Sequence, residues 1–272
     1  MTTQTFPLTA AINLQVRTGT GSLVVMAQDD LAEAVVTLTA RSQDSDIVER
    51  TVVELTGPTL SVTTPRQGGI LDLPIFGGRR DRDAIDITVT VPSGTAIKAS
   101  SYTADISVRG RCGGADLTTG AADISVEHVD GDLRIRYGSG SCSAERVEGS
   151  VTSRSGSGRA RFGTIGGSLN AGCGSGELTA ESVGGTVHAR AGSGGATLGS
   201  VRGDVDLGSG SGNMSIGLPA GYPARLDVTT GSGRVTSDLP IEDTPAPSLS
   251  KAQPLTIRAR TGSGDIRVFR AA

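Results

Sequence analysis

From about residue 113 to residue 216 the chain alternates apolar and polar positions, and the alternation restarts every eighteen residues. Val129, Val147, Ile165, Val183 and Val201 stand at that spacing, with Arg111 where a further apolar residue is due. Four positions after each lie Ala115, Leu133, Val151, Leu169, Val187 and Val205. Two more apolar columns follow, Ile124, Cys142, Ala160, Leu178, Ala196 and Met214, then Val126, Ala144, Phe162, Ala180, Leu198 and Ile216. Between them runs a polar column of Ser125, Ser143, Thr179, Thr197 and Ser215, interrupted by Arg161. A period of two inside each block marks strands with one buried face.

Glycine keeps the same step. Gly113, Gly131, Gly149, Gly167, Gly185 and Gly203 form one column, and Gly120, Gly138, Gly156, Gly174, Gly192 and Gly210 a second. A third holds Gly140, Gly158, Gly176, Gly194 and Gly212, with Ala122 departing from it. The pattern predicts an all-β fold, a single-chain β-solenoid of about 18 residues per coil with Gly-rich corners. Six coils spaced by about 4.8 Å would make a rod of roughly 29 Å. The corners call for φ > 0, and a Cβ repeated in each coil would crowd the turn above it.

The flanks lack the strict period. Runs at Ala11–Val16, Leu23–Met26, Ala34–Thr39, Thr51–Leu55, Leu60–Val62 and Ile85–Val91 read as strands, and Ser42–Arg50 as a short helical turn. Residues 1–92 are therefore expected to form an N-terminal β-rich capping region, and 93–216 the regular solenoid. Residues 217–272 are expected to form irregular C-terminal coils that close the far end, with a mobile loop at 243–254. Caps suit a repeat stack because bare strand edges invite other chains.

Composition narrows the chemistry. The chain of 272 residues holds Gly 40, Phe 4, Tyr 3, Trp 0, His 2 and Cys 3, at a net charge of -3. Seven aromatic residues cannot easily pave a base-stacking platform, and the charge offers nucleic acid no overall attraction. Cys112, Cys142 and Cys173 have no C-x-x-C spacing and read as small core side chains. No stretch carries the roughly 18 apolar residues of a membrane helix, and residues 1–21 lack the basic and apolar regions of an export signal. The expectation is a soluble, cytoplasmic protein with no membrane span and no nucleic-acid partner.

The run VPSGTAIKASSYTADISV (Val91–Val108), then GDLRI (Gly131–Ile135), the recurring GSG corners and RTGSGDIRV (Arg260–Val268) resemble one family across nearly the whole chain. It is the bacterial β-strand-repeat family of unknown function labelled "putative adhesin" (domain of unknown function 4097), in its actinobacterial soluble form. The resemblance implies the fold. It supplies no catalytic residues, and surface adhesion would require export.

Candidate chemistry is sparse. The G-x-G segments are followed by no helical pattern, so they do not form phosphate cradles. In calcium-binding nonapeptide rolls an Asp follows the glycines; here Cys142, Ala160 or Leu178 stands in that place. Asp105 and Asp123 align, but the column continues as Ser141 and Arg159, so no paired carboxylates emerge. His128 and His188 fall in different columns. No metal, cofactor or catalytic residue is expected.

Two surface features remain. Arg134, Arg136, Arg154, His188 and Arg190 occupy two outward columns and form a candidate basic stripe for an acidic partner or anionic polymer, interrupted by Asp116, Asn170 and Asp206. Gly68–Asp83 places Ile70, Leu71, Leu73, Ile75 and Phe76 between glycine pairs, a candidate interaction loop for an unknown protein partner or for self-association. The expected function is a non-enzymatic rigid scaffold or protein-interaction module. The alternatives are a self-assembling element similar to the bactofilins, and a glycan-binding or glycan-cleaving β-solenoid.

Overall fold

A computed structural model describes residues 1–8, 10–43, 45–65, 83–239 and 254–271. The protein is all-β, with 70% strand and 2% helix. It divides into two compact units, Met1–Ala144 and Glu145–Ala272. The proposed loop residues Ile70, Leu71, Leu73, Ile75 and Phe76, and the loop expected at 243–254 apart from Pro254, lie outside the described residues.

The first unit contains β1 (Thr2–Pro7), β2 (Asn13–Arg17), β3 (Gly21–Gln28), β4 (Glu33–Ala40), α1 (Ile47–Arg50), β5 (Val52–Thr56), β6 (Thr59–Thr63) and β7 (Ile85–Pro92). After these come β8 (Ala96–Ser101), β9 (Asp105–Cys112), β10 (Ala115–Ala121), β11 (Ile124–Val129) and β12 (Leu133–Ser139). Two rows of hydrogen-bonded strands result. One runs β1-β4-β7-β3-β9-β11 and the other β5-β6-β2-β8-β10-β12. β1–β4, β4–β7 and β5–β6 are antiparallel, whereas the other pairs are parallel. The strand runs expected between Ala11 and Val91 all appear, and β1 joins them unannounced. The expected helical turn is α1, whose Ile47 is fully buried and whose carbonyl accepts the Thr51 hydroxyl at 2.7 Å.

The eighteen-residue step becomes strand register. Ile97 lies opposite Ala115, Ala115 opposite Leu133, and Ile106 opposite Ile124. β9 departs from it by one residue: Ser107 and Val108 face Ser125 and Val126, but Arg111 faces His128 and Cys112 faces Val129. The extra residue accompanies Gly110 at φ 78°, and the Gly110 amide donates to the Glu127 carboxylate at 2.7 Å. Hence Cys112, not Arg111, fills the inward place opposite Val129, and the apparent gap in the apolar column closes.

β13 (Ser141–Val147) leads the chain into the second unit, which holds β14 (Val151–Ile165), β15 (Leu169–Val183), β16 (Val187–Ser193), β17 (Ala196–Val201), β18 (Val205–Ser211) and β19 (Met214–Leu218). The remaining strands are β20 (Ala224–Ser232), β21 (Val235–Ser237), β22 (Leu255–Ser263) and β23 (Ile266–Arg270). β14 and β15 run unbroken through their glycine corners, and each contributes its two halves to two rows. One row runs β14-β15-β16-β18-β22-β20, the other β14-β15-β17-β19-β23-β21, and each pair is parallel. Inward residues such as Phe162, Leu198, Val201 and Ile216 are fully buried, and burial of their apolar area maintains the stack.

The last two levels do not follow chain order. Val205 pairs with Ile257, and Ile257 with Leu226; Met214 pairs with Ile266, and Ile266 with Val235. The later segment, β22 and β23, sits between β18/β19 and the earlier β20/β21. Both segments carry the same TGSG corner and the same nine-residue step from one row to the other, so either fits the register. Burial distinguishes them. Ile257, Ala259, Ile266 and Val268 are fully buried, whereas the corresponding Leu226, Val228, Val235 and Ser237 are partly or largely exposed. The more apolar set takes the inner level.

Candidate interaction face

Parallel stacking turns a sequence column into a ladder of side chains about 4.8 Å apart. Arg134 and Arg136 belong to the first unit, on β12, beside Asp116 and Thr118 of β10. The Asp116 carboxylate takes the Arg136 guanidinium at 3.2 Å. Arg154, His188 and Arg190 belong to the second unit, on β14 and β16. The five residues thus form two sets, each within its own unit.

In the second unit the ladder extends past the predicted stripe. Asp206 stands opposite Arg258 and Gly208 opposite Arg260, and on the next strand Asp227 stands opposite Arg258 and Thr229 opposite Arg260. Sequence reasoning missed Arg258, Arg260 and Asp227, although aligning the GSG at Gly262–Gly264 with that at Gly210–Gly212 would have placed both arginines. Asp206 receives Arg190 at 2.7 Å and His188 at 3.3 Å. Asp227 receives Arg258 at 3.2 Å and Arg260 at 3.1 Å. The hydrogen bond from Arg190, with the charges of Arg190 and Arg258, holds the Asp206 carboxyl below its ordinary range.

Glycines shape this face. Gly208 has no side chain in the space that Arg190 crosses: a Cβ there would lie 3.0 Å from Arg190 Cδ. The guanidinium spans Gly208 and donates to the Ala189 and Asp206 carbonyls at 3.1 Å each. At Gly172, on the other side of Arg190, a Cβ would meet nothing within 4 Å. Arg190 is therefore pinned on one flank and open on the other.

Four arginines (Arg154, Arg190, Arg258 and Arg260) against two aspartates (Asp206 and Asp227) leave these columns two positive charges in excess, with His188 neutral. In the other row of the same unit Arg161 pairs with Glu181 at 2.7 Å and Arg267 with Asp238 at 2.9 Å, while Arg270 donates to the Pro219 and Tyr222 carbonyls.

Behind the ladder, beside the glycine corners, lies a hollow of about 30 Å³. Small inward residues, Ser155, Cys173, Ala191 and Ser209, create it between Leu178 and Met214. In the first unit the same place in the repeat holds the larger Tyr137, itself buried. The hollow has room for a water or two, against the roughly 300–1,000 Å³ of small-molecule sites. Burial pushes the thiols of Cys112 and Cys142 up to about 11 and about 12, consistent with core packing rather than reactivity. His128 is half-buried beside Asp130 at 3.3 Å, and His188 lies in the other unit. Among the described residues no group of three His, Cys, Asp or Glu side chains could hold a metal, and no helix is long and apolar enough to cross a membrane.

A family model described as Toastrack DUF4097 matches residues 12–269, in agreement with the likeness read from the GSG corners and flanking strands. Among solved structures, a "putative adhesin" from Bacteroides fragilis NCTC 9343 is 15% identical, with a TM-score of 0.38, covering 98% of this chain and 96% of that one. A "putative adhesin" from Parabacteroides distasonis ATCC 8503 is 11% identical at a TM-score of 0.39, covering 98% and 96%. A "putative lipid binding protein" from the same strain is 10% identical at 0.37, covering 99% and 97%. No curated protein matches the chain.

Proposed function

This chain belongs to the Toastrack DUF4097 family, and we propose that it acts as a rigid, non-enzymatic interaction module. In this reading the repeats form a β-solenoid of 18-residue coils that holds a basic ladder toward an acidic protein partner. The observation that carries it is the sharing of Asp206 and Asp227 by two bases each. Asp206 fixes Arg190 and Asp227 fixes both Arg258 and Arg260, so with Arg154 these columns keep positive charge over. Pre-ordered arginines lose less side-chain entropy when an acidic segment arrives, and Arg forks suit carboxylates. The interior hollow is too small to serve as the principal site.

The test uses fluorescent poly-glutamate as the probe, at low and at physiological salt. Wild type should bind, with affinity falling as salt rises. The triple variant Arg190→Ser/Arg258→Ser/Arg260→Ser, checked for an unchanged circular dichroism spectrum, should lose most of that binding. Equal binding by the folded triple variant, or none by wild type at low salt, would overturn the reading.

A further inference from the structure

The inverted order of the last two levels leaves β20 as the outer strand of its row, with β22 its one partner among the described strands. A strand in that position presents unpaired backbone donors and acceptors along its outer side. Edge strands are ordinarily protected by proline, lysine or a bulge; β20 reads ARLDVTTGS and pairs with β22 without a bulge up to the glycine corner. Its inward residues Leu226 and Val228 are only half-buried, although their neighbours Ile257 and Ala259 are fully buried. Apolar surface of the core thus continues to the edge. The first unit begins differently, with antiparallel strands and the buried Ile47 of α1.

The outward residues of β20 indicate what completes this edge. Arg225 and Asp227 flank Leu226. When two copies of β20 meet antiparallel about a twofold axis through Leu226, Arg225 of each copy faces Asp227 of the other. Leu226 then faces its own counterpart, and Ala224 faces Val228. Both charge pairs fall on the outward face and all the apolar residues on the inward face, as the pleat requires. The strand is complementary to itself in charge and in facing.

We propose that β20 is a homodimerisation edge, where a second copy of this chain adds its own β20 antiparallel and closes an isologous pair. The inference goes beyond the basic ladder: the partner is different, and although Asp227 serves both surfaces, the ladder variant keeps Arg225 and the edge variant keeps Arg190, Arg258 and Arg260, so either can fail alone.

The mass of the intact chain is measured by light scattering across a concentration series, for wild type and Arg225→Asp. Wild type should reach the mass of two copies. Arg225→Asp, which places two carboxylates opposite each other twice, should dimerise about tenfold more weakly with an unchanged circular dichroism spectrum. A second measurement fixes the register. In a Cys173→Ser background, Leu226→Cys should form an intermolecular disulfide on mild oxidation, because the residue faces itself. Val228→Cys, which faces Ala224, should not. A single-copy mass throughout with no Leu226→Cys cross-link would overturn the proposal, as would a dimer indifferent to Arg225→Asp and cross-linking equally at both positions.

Discussion

Gly194 stacks on Gly176 so closely that a Cβ at Gly194 would overlap the Gly176 carbonyl oxygen. Its φ of 154° lies in the region that L side chains rarely adopt. The corner column is glycine for two reasons at once, torsion and stacking. Gly194→Ala should therefore cost about 1–3 kcal/mol, read as a lower thermal midpoint. Gly172→Ala, where a Cβ would meet nothing within 4 Å, should be neutral or slightly stabilising. Equal losses at the two sites would mean that the corner is not the constraint.

Ile257 and Leu226 share one inward column but not one environment. Ile257 is fully buried, so Ile257→Ala should destabilise by about 2–5 kcal/mol in urea titrations at low protein concentration. Leu226→Ala, at the half-exposed outer level, should cost clearly less under the same conditions. A larger cost at Leu226 would contradict the order β18-β22-β20.

Asp86 accepts Arg41 at 2.7 Å and the Ser22 hydroxyl at 2.6 Å, and the hydrogen bond from Arg41 holds its carboxyl below the ordinary value. A depressed native pKa means that the folded state binds fewer protons than the unfolded one. The stabilisation is therefore present above about pH 4, the unfolded value, and is lost as pH falls through the lower native pKa. The pair is solvent-exposed, so the effect should stay under about 1 kcal/mol. Urea midpoints between pH 6 and 3 should fall less for Asp86→Asn than for wild type.

Thiol accessibility should separate the cysteines. Cys112 and Cys142 are buried with thiols pushed up to about 11 and about 12, while Cys173 is partly exposed. At pH 8 a thiol reagent should label Cys173 first in the native protein, and the other two only on unfolding. Rapid labelling of all three would show that the stack opens readily.

The sequence carried the register because parallel pairing of successive repeats writes each inter-strand contact as a fixed sequence separation. Val151, Leu169, Val187 and Val205 face one another just as their eighteen-residue spacing states. The bulge at Gly110 was hidden because one extra residue shifts phase locally, so Arg111 appeared where Cys112 belongs. The place of β22 was hidden for the opposite reason. β20/β21 and β22/β23 have the same internal spacing, and the choice between levels rests on the summed burial of side chains rather than on any local signal. Arg258 and Arg260 were missed with it, since their neighbours on the ladder are fixed by that choice.

The same inversion sets a problem of timing during synthesis. At about 5–20 residues per second, the 33 residues from Ser237 to Arg270 take roughly 2–7 s to appear, whereas a strand pairs within microseconds. During those seconds the finished edge available to β20 and β21 is that of β18 and β19, and the matching nine-residue step lets them occupy it. Wherever β20 and β21 have paired first, the native order requires β22 and β23, the more apolar set, to displace that layer outward by one place.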